Sequence, residues 1–100
     1  MPEFVLTYRA PHGAVRTDET GAAWMQWFAT IEDNVVELGK PVTTTSSVGN
    51  CDPVATKLAG YSVIRADSLE AARAIAAECP AVAHDGGVEV GELAPMPERP

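Results

Sequence analysis

The sequence predicts a single α+β domain of order β-α-β-β-α-β, and three observations lead there. One hundred residues with 46% apolar and 21% charged side chains suit one globular domain rather than a disordered or repetitive chain. Two stretches carry apolar residues at helical spacing, and four shorter ones have the composition and alternation of strands. Turn chemistry separates them.

The first strand is "EFVLTYR", residues 3–9, with Phe4, Leu6 and Tyr8 on one side and Val5 and Thr7 on the other. Both sides are apolar enough to be covered. The loop "APHGAVRTDETG" leads into a helix that starts near Asp18 to Gly21 and is expected to run to Leu38, with Gly39 and Pro41 as stop signals. At 100° per residue, Trp24, Trp27, Phe28, Ile31, Val35 and Leu38 share one face, so the tryptophans read as core. Met25, Ala29 and Val36 lie off that stripe and widen it.

"VTTTSSV", residues 42–48, reads as a polar edge strand from its threonine and valine content. The connection "GNCDPVATKLAG" precedes a third strand, "YSVIRA", apolar on both faces. The second helix, "ADSLEAARAIAAECP", is expected to be capped by Asp67 with Glu70 three residues on, to bury Leu69, Ala72, Ile75, Ala76 and Cys79, and to end at Pro80. "GVEVGEL", residues 87–93, is the last strand. Residues 1–94 thus form the domain and 95–100 a proline-rich tail.

This order is the split βαβ arrangement of ferredoxin-like domains, a four-stranded antiparallel sheet with two helices on one face. The other face is bare, yet the first and third strands look apolar on both faces. Another copy of the same face is the simplest cover, which predicts a homodimer. The formal charge of −7, from 14 acidic and 7 basic residues, argues against nucleic acid and against an anionic membrane surface as partners. The N-terminus does not read as a signal peptide and no stretch is long and apolar enough to span a bilayer, so a cytoplasmic protein is expected.

Cys51 and Cys79 form neither a disulfide framework nor a C-x-x-C site. Cys79 reads as a small buried hydrophobe and Cys51 as an exposed loop thiol. Two histidines without ligand spacing give no metal site, no cofactor is implied, and no phosphate loop or G-x-S-x-G is present.

Residues 59–93, "AGYSVIRADSLEAARAIAAECPAVAHDGGVEVGEL", resemble the C-terminal half of YCII-related proteins, and "FVLTYRAP" with "AWMQWFATIEDNVVELGKPV" is similar to their N-terminal half. The resemblance implies a ferredoxin-like domain paired as a dimeric α+β barrel. It also implies small-molecule chemistry such as dehydrochlorination, with a histidine and an aspartate as acid-base residues. In YciI-type members that histidine sits near the start of the first helix, where this chain has Trp24, Gln26 and Trp27.

Topology brings three connections to one edge of the sheet: the first strand to helix, the second strand to third strand, and the second helix to last strand. His12 and Arg16, then Asp52, then His84 and Asp85 lie on them. The expectation is a small molecule bound near the barrel end, with His84 as general acid or base, Asp85 or Asp52 orienting it, and His12, Arg9, Arg16 and Tyr8 lining the site. The alternative is a non-catalytic module that binds a metabolite or a partner protein.

Overall fold

Extended backbone comes first: β1 (Glu3–Pro11) is the strand around which the sheet is assembled. A computed structural model describes residues 1–51 and 55–96. After β1 come α1 (Asp18–Thr30), a 3₁₀ turn (Glu32–Asn34), β2 (Val35–Glu37), β3 (Thr56–Arg65), α2 (Leu69–Ala77), the short α3 (Pro80–Ala83) and β4 (Gly87–Glu92). The strand order is β2-β3-β1-β4, antiparallel throughout, which is the ferredoxin-like topology.

Alternation along β1 decides the layers. Phe4, Leu6 and Tyr8 are buried, and the register sets Ile64, Ser62 and Gly60 of β3 beside them on that same face. Trp27 and Ile31 from the α1 side and Ala72 and Ala76 from α2 close over this face to form the core. Full burial of Phe4 and Leu6 contributes about 1.5–3 kcal/mol each. Val5, Thr7, Tyr61 and Val63 occupy the opposite face and are half-buried, with no helix among the described residues stacked on them.

Three boundaries differ from the sequence expectation. The first helix ends at Thr30, not Leu38: Thr30 Oγ1 bonds back to the Gln26 carbonyl, and Asn34 Nδ2 donates to Arg65 O at 2.9 Å, which pins the turn to β3. The β-branched Val35 and Val36 then pair with β3, so the edge strand is 35–37. Residues 42–48 form no strand. Beside β3 the edge persists as the Pro41 to Gly60 bridge, with bonds from Val42 N to Ala59 O and from Tyr61 N to Lys40 O, and a proline there removes a ladder donor.

The second helix is capped by Ser68, whose Oγ accepts from Ala71 N at 3.1 Å, rather than by Asp67. Pro80 follows the end of α2 but also opens α3, as the first helical residue after a Cys79 cap. Of the proline-rich tail, residues 97–100 lie outside the described part.

Gly39 is not a helix stop. Its φ is +75°, and a Cβ built there would collide with the Tyr61 carbonyl oxygen. Gly49 has a similar φ of +74° but open space around it. Gly49→Ala is therefore expected to cost only the strain of the left-handed backbone, about 1–2 kcal/mol, and Gly39→Ala clearly more, read as the difference in urea unfolding free energy. Equal costs would mean that the edge does not press against β3.

Candidate functional site

The registers Arg9 to Gly87 and Pro11 to Thr56 place the end of β1 beside the starts of β4 and β3. The loops at this edge are therefore neighbours, as the topology requires. The sheet nevertheless divides their side chains between two hollows.

The first hollow, about 340 Å³, is lined by Arg9, Lys57, Leu58, Val42, Cys51 and the hydroxyl run Thr44, Thr45, Ser46 and Ser47. A register shift between Tyr8 and Arg9 sets Arg9 opposite Leu58 on the bare-face side. Arg9 Nε donates to Thr56 Oγ1 at 3.1 Å and its Nη2 donates to Thr56 O at 2.7 Å. Two of five guanidinium donors are thus spent on fixing the fork, and among the described residues three remain. Cys51 Sγ donates to Val48 O at 3.2 Å, and its thiol is exposed.

The second hollow, about 410 Å³ and more open, lies in the helical layer between α1 and α3. It is lined by Ala23, Gln26, Trp27 and Thr30 of α1 with Glu78, Pro80, Ala83 and His84. His84 is exposed, and among the described residues no hydrogen bond orients its imidazole. The carboxylate that shares its hollow is Glu78, not Asp85. Asp85 takes a φ of 65° in the turn before Gly86, so it serves local backbone geometry. Asp52 lies outside the described residues. His12 and Arg16 are exposed on the β1–α1 connection and line neither hollow.

Tyr8 is 5% exposed and belongs to the core. Its hydroxyl donates to Ser62 Oγ at 2.8 Å, and Ser62 Oγ donates to Leu38 O at 2.6 Å. Its ring meets Trp24 edge-on at 4.8 Å, and Trp24, Trp27 and Phe28 continue the cluster. These rings pack into the space between sheet and helices. Trp27 Nε1 is buried and has no hydrogen-bond partner among the described residues.

Of the seven residues singled out from the sequence, the structure puts Arg9 in the first hollow and His84 in the second. Among those that are described, no two line the same hollow. Lys57 and the hydroxyls of 44–47 escaped attention because "VTTTSSV" also fits a strand, and Glu78 because helical spacing alone does not tell which helix faces it.

A family model for the YCII-related domain matches residues 1–97. No curated protein sequence matches the chain. Among solved structures, the chain is similar to 5-chloro-2-hydroxyhydroquinone dehydrochlorinase (TftG) from Burkholderia phenoliruptrix AC1100 in complex with 2,5-dihydroxybenzoquinone, at a TM-score of 0.66 and 14% identity over 92% of this chain and 93% of that one. At that identity the likeness concerns the fold.

Burial pushes the Tyr8 phenol above its ordinary value of 10.0, and the bond to Ser62 offsets part of that. Burial also pushes up the Cys79 thiol. A phenol that holds its proton longer in the folded state stabilises the fold fully below pH 10 and loses that contribution as pH rises further, because the unfolded chain ionises first. Unfolding free energy should then fall above about pH 10 by roughly 1.4 kcal/mol per pH unit for this group. In Tyr8→Phe that component is absent, while neutral-pH stability drops by about 1 kcal/mol. Identical alkaline slopes in the two proteins would contradict the buried placement.

Proposed function

We propose, from the premise that this chain belongs to the YCII-related family, that it binds a small molecule in the hollow beside Arg9. One observation carries this reading: an arginine fork already held by Thr56 opens into a concavity of about 340 Å³ at the loop edge. A side chain fixed before the ligand arrives loses less entropy on binding. The structural neighbour supports it, since a dehydrochlorinase of this fold accommodates 2,5-dihydroxybenzoquinone. The aromatic cluster supports the same place from the other side, because it occupies the space between sheet and helices.

Binding without catalysis accords better with the geometry than acid-base chemistry by His84 and Asp85. A general base needs an orienting partner, and His84 has none among the described residues. Acid-base chemistry remains the second reading, favoured by the Glu78 carboxylate in the same hollow.

The functional unit in this reading is a homodimer. The bare face carries a strip of Val5, Thr7, Tyr61 and Val63, flanked by Arg9 and Arg65 and by Glu37 and Glu89. A surface with both charges around an apolar centre is complementary to its own copy. A cytoplasmic location belongs to the same reading, and two unpaired thiols suit a reducing compartment. Among the described residues no helix is long and apolar enough to cross a membrane.

Two measurements test these statements. In a metabolite screen followed by amide NMR, hits should shift Arg9, Thr44 to Ser47, Cys51 and Leu58. Shifts confined to Gln26, Thr30, Ala83 and His84 would transfer the site to the helical hollow and revive the acid-base reading. Light scattering at micromolar concentration should give twice the chain mass of 10.5 kDa, and Val63→Glu should return it to the monomer value. A monomeric wild-type protein would remove the dimer.

A further inference from the structure

We propose that the ligand of the Arg9 hollow is a small oxyanion, a carboxylate or phosphate ester on a short apolar frame. This rests on the reading of that hollow as the binding site. Charge supplies the first argument. The chain has twice as many acidic as basic residues, 14 against 7. Two of those seven, Arg9 and Lys57, nevertheless face one hollow, and no carboxylate stands among its described lining residues.

The bonds of Arg9 supply the second argument. Its fixed donors go to a hydroxyl and a carbonyl of Thr56, both uncharged, so among the described residues the guanidinium is oriented but not neutralised. A planar fork with free donors matches an oxyanion in two-point contact, and Lys57 adds a compact positive charge. Hydroxyls of Thr44, Thr45, Ser46 and Ser47 add short donors that adapt to the remaining oxygens. A cationic ligand meets like charge here. A neutral polyol would be served by the hydroxyls alone and would leave both cations without a role.

The apolar wall sets the remainder of the ligand. Val42 and Leu58 line the same hollow, and they favour carbon over water at the far end. The ligand class is therefore one anionic group with a small hydrophobic body.

Three ring compounds of one shape separate charge from frame: benzoate, phenyl phosphate and neutral benzamide, titrated into the full-length protein and followed by amide NMR. Benzoate or phenyl phosphate should shift Arg9, Thr44 to Ser47 and Leu58 and bind about tenfold or more tightly than benzamide, the scale of a charge-assisted hydrogen bond. The tighter of the two identifies carboxylate or phosphate. Lys57→Gln, whose side chain has no hydrogen bond within the described fold, should weaken the anion about tenfold and leave benzamide unchanged. Arg9→Lys keeps the charge but not the fork, and should weaken the anion as well.

Benzamide binding at these amides as tightly as the anions would overturn the oxyanion class and leave the site standing. Anion binding unaffected by Lys57→Gln and Arg9→Lys would overturn it too. Should no ring compound shift these amides, the inference falls, and the metabolite screen decides separately whether the hollow binds anything.

Discussion

A chain of two hydrogen bonds, the first of them buried, holds the sheet edge in place: Tyr8 Oη donates to Ser62 Oγ, which donates to Leu38 O. Ser62 is fully buried, and without these partners its hydroxyl would cost about 1–3 kcal/mol. The relay ties β1, β3 and the backbone just after β2 across three neighbouring strands. Because Leu38 is held there, Gly39 passes against the Tyr61 carbonyl and Pro41 reaches Gly60. From that point the 42–51 segment is delivered to the rim of the Arg9 hollow.

The sequence exposed the parts of this arrangement that depend on periodicity. Phe4, Leu6 and Tyr8 alternate with Val5 and Thr7, and that alternation foretold that the first three share one face, the face that the helices cover. It could not foretell that Val35 would leave the helix, because Ile31, Val35 and Leu38 continue the helical stripe in register. The decision fell to Asn34, whose contact with Arg65 is 31 residues away in the chain and invisible to any local pattern. "VTTTSSV" failed for a related reason. Threonine and valine make a strand only where the backbone finds a partner, and past Val42, whose N–H bonds to Ala59 O, residues 43–48 pair with no strand among the described residues.

The site was legible at the level of topology and illegible at the level of faces. Connections that share an edge were expected to pool their polar residues, and the backbone does bring them together. A sheet, however, sends successive side chains to opposite sides. Arg9 goes to the bare-face side with Leu58, while His84 ends in the helical layer beside Glu78. Among the described residues, proximity of the loops thus does not bring Arg9 and His84 to one hollow.

The turn "HDGG" contributes to the Arg9 hollow without lining it. Gly86 donates to Ala81 O at 2.9 Å, and a Cβ there would collide with the Arg9 carbonyl oxygen. The backbone of this turn therefore rests directly on the residue whose side chain forms the fork. Asp85 accepts the left-handed conformation that lets Gly86 reach that place. In a chain with so few cations, the position of Arg9 is set by neighbours on both sides, Thr56 through its guanidinium and Gly86 through its carbonyl. The histidine and aspartate that suggest an active site in the sequence thus sit in a turn whose glycine buttresses an arginine on another strand. In the proposed reading, that backbone contact is how the turn reaches the binding site.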